Sequence, residues 1–222
     1  VDRFAQGLKT LITVVRDQAQ TDAVLFEDQA VVARATDLER IVISSTLSPR
    51  YARALRDRVP SHIALIDAPM SGAQVAAEEA RLTFMVGAAE EDLAALRPVF
   101  EAMGTRLHHM GGFGTGMQAK VLNNLVAASS VLATRTALSW AADQGLDGQA
   151  LRALLHDSTG HTWFGSNFDQ IEFARHGYAE DNTIGILRKD VEAALDGAPA
   201  GVDTAFPEAL IAGISALDAL SD

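Results

Sequence analysis

The 222-residue chain contains no cysteine. That removes disulfide frameworks, thiolate nucleophiles and Cys-ligated zinc, and leaves packing to supply stability. Positive charge is also scarce: 18 Lys and Arg against 29 Asp and Glu give a formal net charge of −11. Phosphate backbones are held by clustered Lys and Arg, which the chain does not show, so no nucleic-acid partner is expected. No run of about 20 apolar residues could span a bilayer, and no membrane partner is expected. The opening Val1-Asp2-Arg3-Phe4 has neither the basic head and apolar run of a secretory signal nor an initiator Met. These features fit a cytoplasmic protein and a processed or incomplete version of a longer chain. H-E-x-x-H and G-x-S-x-G are missing, which removes the commonest zinc-protease and α/β-hydrolase readings. His108 and His109 are neighbours in a strand-like segment and point to opposite faces, so no metal site is expected.

What is present is ordinary globular composition, 48% hydrophobic and 21% charged, enough for a sizeable core. One stretch organises the rest: Gly111-Gly112-Phe113-Gly114-Thr115-Gly116-Met117-Gln118-Ala119-Lys120-Val121-Leu122-Asn123-Asn124. Its glycines allow a tight turn, and the absence of Gly and Pro from Met117 onward predicts a long helix, through Gly145. Lys120, Asn123 and Asn124 stand at i, i+3 and i+4, on one side of that helix. A Lys on a helix is ordinarily solvated. Around this one, Val121, Leu122, Leu125, Val126, Val131 and Leu132 spread apolar groups over much of the circumference and predict a helix enclosed on several sides. A polar cluster is costly in such surroundings, which makes Lys120 a candidate functional residue.

Before the glycine turn, strand-like runs at Leu11–Val15, Arg40–Ser44, Ile63–Asp67, Arg81–Gly87 and Thr105–His109 alternate with helical segments. One such segment opens at Ser48-Pro49 and another covers 90–103, where Leu93, Leu96, Val99 and Phe100 recur at helical spacing. This alternation predicts an α/β fold with a mostly parallel, doubly wound Rossmann-type sheet. After it, helical runs at 148–156, 163–174, 186–195 and 204–220 predict an all-helical second part. The expected domains are residues 1–113 and 114–222, joined through a long interdomain helix. Glycine order in 112–116 superficially suggests a dinucleotide loop, but the G-x-G-x-x-G spacing and the following acidic residue are missing. The turn reads better as a hinge. Ser71-Gly72, after a strand and Pro69, offers a hydroxyl and bare N–H groups suited to a carboxylate or phosphate, though a plain turn needs the same residues.

Taken in order, Asp67-Ala68-Pro69-Met70-Ser71-Gly72, Leu82-Thr83-Phe84-Met85-Val86-Gly87, Gly114-Thr115-Gly116 with Lys120 and Asn123-Asn124, and Lys189-Asp190 resemble the β-hydroxyacid dehydrogenases, the group typified by 3-hydroxyisobutyrate dehydrogenase. Gly160-His161-Thr162-Trp163 resembles the loop of members acting on sugar acids such as threonate. The resemblance implies NAD or NADP as cofactor, hydride transfer between it and a 3-hydroxy acid (3-hydroxyisobutyrate, tartronate semialdehyde or threonate-like), and a homodimer or homotetramer. It implies that Lys120 is catalytic, that Ser71, Gly72 and Asn124 hold substrate, and that Thr46 and Lys189 contact cofactor. An ammonium desolvated between two domains gives up its proton more readily, which suits proton exchange with the reacting hydroxyl. The sequence departs from the family in lacking its amino-terminal glycine-rich βαβ unit, in Ala73 where a second Gly is usual, and in Val15-Arg16 where Leu-Pro is usual. Two alternatives stay open: a relative of 6-phosphogluconate dehydrogenase or the imine reductases, or a non-catalytic binding or dimerisation module.

Overall fold

The computed structural model describes residues 2–220; Val1, Ser221 and Asp222, the outermost positions of the two expected domains, lie outside the described residues. The chain divides into two compact units, Val1–Val121 and Leu122–Asp222.

The first unit runs α1 (Asp2–Ala5), β1 (Thr10–Thr13), α2 (Gln18–Leu25), α3 (Val31–Arg34), β2 (Arg40–Ile43), α4 (Pro49–Arg58), β3 (Ala64–Asp67), β4 (Met70–Ser71), α5 (Ala73–Glu78), β5 (Leu82–Gly87), α6 (Glu90–Met103) and β6 (Gly104–Gly111), and then enters α7 (Thr115–Asp143). The sheet order is β1-β2-β3-β5-β4, with β6 paired to β5. β1, β2 and β3 are parallel, Leu11 facing Ile41 and Ile41 facing Leu65. Alternate residues enter opposite cores. Ile41 and Ile43 pack with Leu25, Leu55 and Met117 on one face, whereas Val42 packs with Ile66, Phe84, Leu93 and Phe100 on the other. This is the period-2 logic of a strand buried on both sides, and it makes the sheet doubly wound. Ser48 accepts hydrogen bonds from the Arg50 and Tyr51 amides and Pro49 follows it, the helix start that the Ser-Pro pair predicts.

The expected parallel order fails at one joint. β3 meets β5 antiparallel at Asp67 and Gly87, and β4 is also antiparallel to β5. Part of the link from β3 to β5 is spent on β4, so the chain returns alongside β5 instead of making the full crossover that a parallel neighbour requires. Parallel pairing resumes between β5 and β6. Along α6, Leu93, Leu96 and Phe100 are buried, but Val99 lies at the edge of that stripe and is exposed.

The second unit holds the rest of α7, then α8 (Gly148–Asp157), α9 (Trp163–Ser166), a 3₁₀ turn (Phe168–Gln170), α10 (Thr183–Asp196) and α11 (Ala205–Ser215). Its core gathers Phe164, Phe168, Phe173, Ile184, Val191, Leu210 and Ile214. Two helices expected from the sequence are shorter than anticipated. The run 163–174 breaks after Ser166, where the Asn167 amide donates back to the Trp163 carbonyl at 2.8 Å, a local side-chain bond that competes with helix propagation. The run 204–220 ends at Ser215 because its tail pairs elsewhere: Tyr178 N donates to Leu217 O at 2.8 Å and Leu220 N to Arg175 O at 2.9 Å. Buried Arg135 fastens the same segments, donating to the carbonyls of Ala174, His176 and Asp218.

α7 is 29 residues long, close to the length expected, but it is not enclosed on several sides in this chain. Val121, Asn124, Ala128, Val131, Arg135 and Leu138 form one buried stripe, while Leu122 and Val126 are 52% and 69% exposed. Among the described residues no helix is long and apolar enough to cross a membrane.

What fixes the start of α7 is close approach. A Cβ on Gly116 would collide with the Met85 carbonyl oxygen and come within 2.8 Å of Gly87 N and 3.0 Å of Asp67 O, all backbone atoms that cannot rotate away. The glycine therefore lets the first turn of α7 lie directly on the ends of β3 and β5. Gly116→Ala should lower stability by about 2–3 kcal/mol, the upper range of overpacking, whereas Gly112→Ala, with open space around the added carbon, should stay within about 0.5 kcal/mol of the parent. Urea midpoints of the two variants check this.

Candidate active site

The helix that carries Lys120 is anchored by a carboxylate. Asp67 ends β3 and has no solvent exposure. Its Oδ1 accepts the Gly114 N–H at 2.6 Å, and its Oδ2 accepts the Met117 N–H. These are two of the amides that a helix start leaves without intrahelical partners, and the positive end of the helix dipole favours the negative charge. Burial nevertheless wins: it drives the Asp67 carboxyl up to about 6, against the lowering effect of the two backbone donors and the Arg53 guanidinium.

Met117 joins this anchor to a second loop. Its side chain is fully buried, and its sulfur accepts the Leu47 N–H at 3.2 Å. Leu47 follows Thr46, which is partly exposed between β2 and α4. Ser45 Oγ accepts the Val15 N–H at 2.8 Å, tying the loop after β1 to the loop after β2. Thr46 thus sits at the carboxyl edge of the parallel strands, where open α/β sheets hold their ligands. Lys120 follows Met117 by three residues on α7 and is 7% exposed. Ser71 lies on β4, opposite Thr83 of β5, and is partly buried. Gly72 caps α5 with φ 137°, and Ala73 follows with φ 56°. Position 73 is therefore a left-handed site occupied by a residue with a Cβ. Ser71, Gly72, Thr46 and Lys120 all belong to the first unit.

The remaining sequence-derived candidates belong to the second unit. Asn124, one turn beyond Lys120 on the same helix, is buried and donates from Nδ2 to Asp190 Oδ2 at 2.6 Å. Its Oδ1 accepts from Asn123 Nδ2 at 3.0 Å. Both ends of the amide are thereby fixed, and a flipped amide would set its oxygen against the carboxylate. Lys189 is partly exposed, with Nζ 3.1 Å from Asp190 Oδ1. That contact is Coulombic: the oxygen, although buried, is not aligned as a hydrogen-bond acceptor. The structure brings Asn124 together with the Lys189-Asp190 pair across 66 positions of sequence. Sequence reasoning quoted the two carboxylates within motifs, Asp67 at the head of Asp67–Gly72 and Asp190 beside Lys189, but gave neither a role, because their partners lie far off in the chain. Among the described residues there is no cluster of three or more potential metal-ligating acidic or histidine side chains.

Comparison with known proteins gives the family. Residues 1–112 match the model described as the NAD binding domain of 6-phosphogluconate dehydrogenase, and residues 114–212 match the one described as NAD-binding of NADP-dependent 3-hydroxyisobutyrate dehydrogenase. The chain belongs to the β-hydroxyacid dehydrogenase family. It is 33% identical over 196 residues to the mitochondrial 3-hydroxyisobutyrate dehydrogenase of Drosophila melanogaster, covering 85% of this chain and 60% of that protein. It is 31% identical over 159 residues to the NAD-dependent L-serine dehydrogenase of Pseudomonas aeruginosa, covering 71% of this chain and 53% of that one. The solved 3-hydroxyisobutyrate dehydrogenase of Mycobacterium tuberculosis, determined with L-serine, superposes with a TM-score of 0.79 at 27% identity over 98% of this chain and 79% of that one. The chain thus spans three fifths or less of these two curated relatives.

For a family of dinucleotide binders, the residues present fit in part. The Ser45-Thr46-Leu47 edge, held to β1 and to Met117, puts two hydroxyl side chains at the carboxyl end of the parallel strands, where open α/β sheets hold ligands. No G-x-G-x-x-G occurs in the 222 residues, so the fit covers that edge and includes no pyrophosphate loop within them.

Two predictions follow from the local energetics. A carboxyl raised from its ordinary value near 4 to about 6 in the folded chain binds its proton more tightly when folded. Its contribution to stability is therefore full below the unfolded pKa near 4 and is lost as pH rises through 6, a change of about 3 kcal/mol. Stability measured by urea from pH 4 to 7.5 should fall less steeply in Asp67→Asn than in the parent, by about that amount. At the left-handed site, Ala73→Gly relieves roughly 1–2 kcal/mol of strain and adds about 0.5–1 kcal/mol of unfolded-state freedom. A net gain of about 0.5–1 kcal/mol should appear as a higher urea midpoint.

Proposed function

We propose that this chain is the substrate-oxidising part of an NAD- or NADP-dependent 3-hydroxyacid dehydrogenase. One observation carries the reading: Lys120, three residues beyond an amide held by Asp67, is withdrawn from water in a chain of the β-hydroxyacid dehydrogenase family. An amine desolvated in that way can take the proton of a substrate hydroxyl. A bound NAD or NADP would supply the acceptor for the hydride of the carbinol carbon. The C–H and O–H bonds break, the C=O bond forms, and the proton leaves through the Lys120 nitrogen.

Ser71 and the Gly72 backbone hold the substrate carboxylate, Asn124 presents its oriented amide to the reacting oxygen, and Thr46 and Lys189 contact the cofactor.

The substrate class is a small 3-hydroxy acid. 3-Hydroxyisobutyrate and L-serine, the compounds named for relatives, both carry a carboxylate two carbons from a hydroxyl-bearing carbon. Threonate and the acid reduced from tartronate semialdehyde share that spacing. Assay of the full-length protein with these acids, with 6-phosphogluconate and with a cyclic imine separates this reading from its neighbours; turnover of the last two alone would replace it. Lys120→Ala should reduce kcat by about 10²–10⁴-fold, the usual weight of a positioned acid–base group, with an unchanged urea midpoint. Undiminished turnover would remove the proposed mechanism.

A further inference from the structure

We propose that Asp67 is a positioning residue, which sets the place of the Lys120 amine by fixing the first turn of α7 to the strand that leads into the Ser71–Gly72 turn. The inference rests on the role given to Lys120 above.

Three observations carry it. The carboxylate grips α7 at two points, the amides of Gly114 and Met117, so both the height and the rotation of the first turn are fixed relative to β3. The grip is enclosed: a Cβ on Gly87 would collide with Asp67 Oδ1 and approach Gly116 N to 2.9 Å, leaving no slack between β5, the carboxylate and the helix. The same turn also holds the Thr46 loop, through Leu47 N and the Met117 sulfur. One buried carboxyl therefore registers the catalytic helix against both the substrate turn and the cofactor-side loop. Lys120 lies one turn along, where a small rotation of the helix start displaces a long side chain by an ångström or more, and misplacement on that scale can cost about a hundredfold in rate.

Burial raises the Asp67 carboxyl, which offsets part of what its two backbone bonds contribute, and an uncharged isostere keeps one of the two grips while loosening the other.

The test is a double-mutant cycle in the full-length protein. Asp67→Asn and Asp67→Ser are each measured alone and together with Lys120→Ala, with methylamine added to restore measurable turnover in the Lys120→Ala background. Each single Asp67 change should lower kcat by about 10–100-fold and shift the KM for hydroxy acid and the Kd for cofactor less than about threefold. In the Lys120→Ala background the same changes should lower methylamine-supported turnover less than about twofold, because a free amine needs no register. Equal losses in both backgrounds would overturn the proposal, as would wild-type kcat in the Asp67 variants. So would failure of both variants to fold at 10 °C, since Asp67 would then support the domain and not one side chain. Full activity of Lys120→Ala without methylamine would instead strike at the proposed function itself.

Discussion

A carboxylate buried at the end of β3 and bonded to the first amides of α7 is the constraint from which the first unit is laid out. Burying a charge costs several kcal/mol unless donors replace its water, and a helix start is one of the few backbone elements with donors to spare. Once Asp67 takes two of them, the helix cannot begin anywhere else. Gly87 and Gly116 then become obligatory, because the space a side chain would need is filled by backbone. The motif Asp67–Gly72 and the glycine turn at 111–116 are separate in sequence and a single device in the fold.

The second unit repeats the principle with a different donor. Asp190 is buried and receives the Asn124 amide, and the fixed amide in turn accepts from Asn123. In each unit a carboxylate out of water removes a degree of freedom from a neighbouring group, a helix start in one case and a carboxamide in the other. Groups placed in this way inherit their orientation from bonds made behind them.

Much of this was legible in the sequence, and the divide between what was and was not follows range. Strand runs such as Arg40–Ile43, the Ser48-Pro49 helix start and the long uninterrupted helix after Gly116 are local patterns, and the structure has them where periodicity and capping put them. The antiparallel joint at Asp67 and Gly87 was not legible, because alternation of strands and helices does not encode direction when a short strand intervenes. The lengths of the helices near 163–174 and 204–220 were overestimated for a related reason. Apolar periodicity continues past Ser166 and Ser215, but Asn167 and the Tyr178–Leu217 pairing draw the backbone into other bonds. Lys120 and Asn124 could be singled out because two polar groups at helical spacing sit awkwardly among apolar ones. Asp67 and Asp190 could not, since a lone acidic residue in sequence looks like surface until its partners, some 50 and 66 positions away, are in view.

The glycine turn shows how one motif admits two physical readings. As a hinge, its glycines would supply freedom; as a seat, they supply the absence of side chains. Gly112 has open space around it and suits either. Gly116 does not: it is packed against Met85, Gly87 and Asp67 backbone, and its neighbour Met117 is bonded through both its amide and its sulfur. A segment held at that many points gains nothing from flexibility, so any bending between β6 and α7 must be confined to residues before Gly114. The first turn of α7 therefore moves with the sheet, and Lys120, one turn further on, keeps its register to β3 however the rest of the helix is carried.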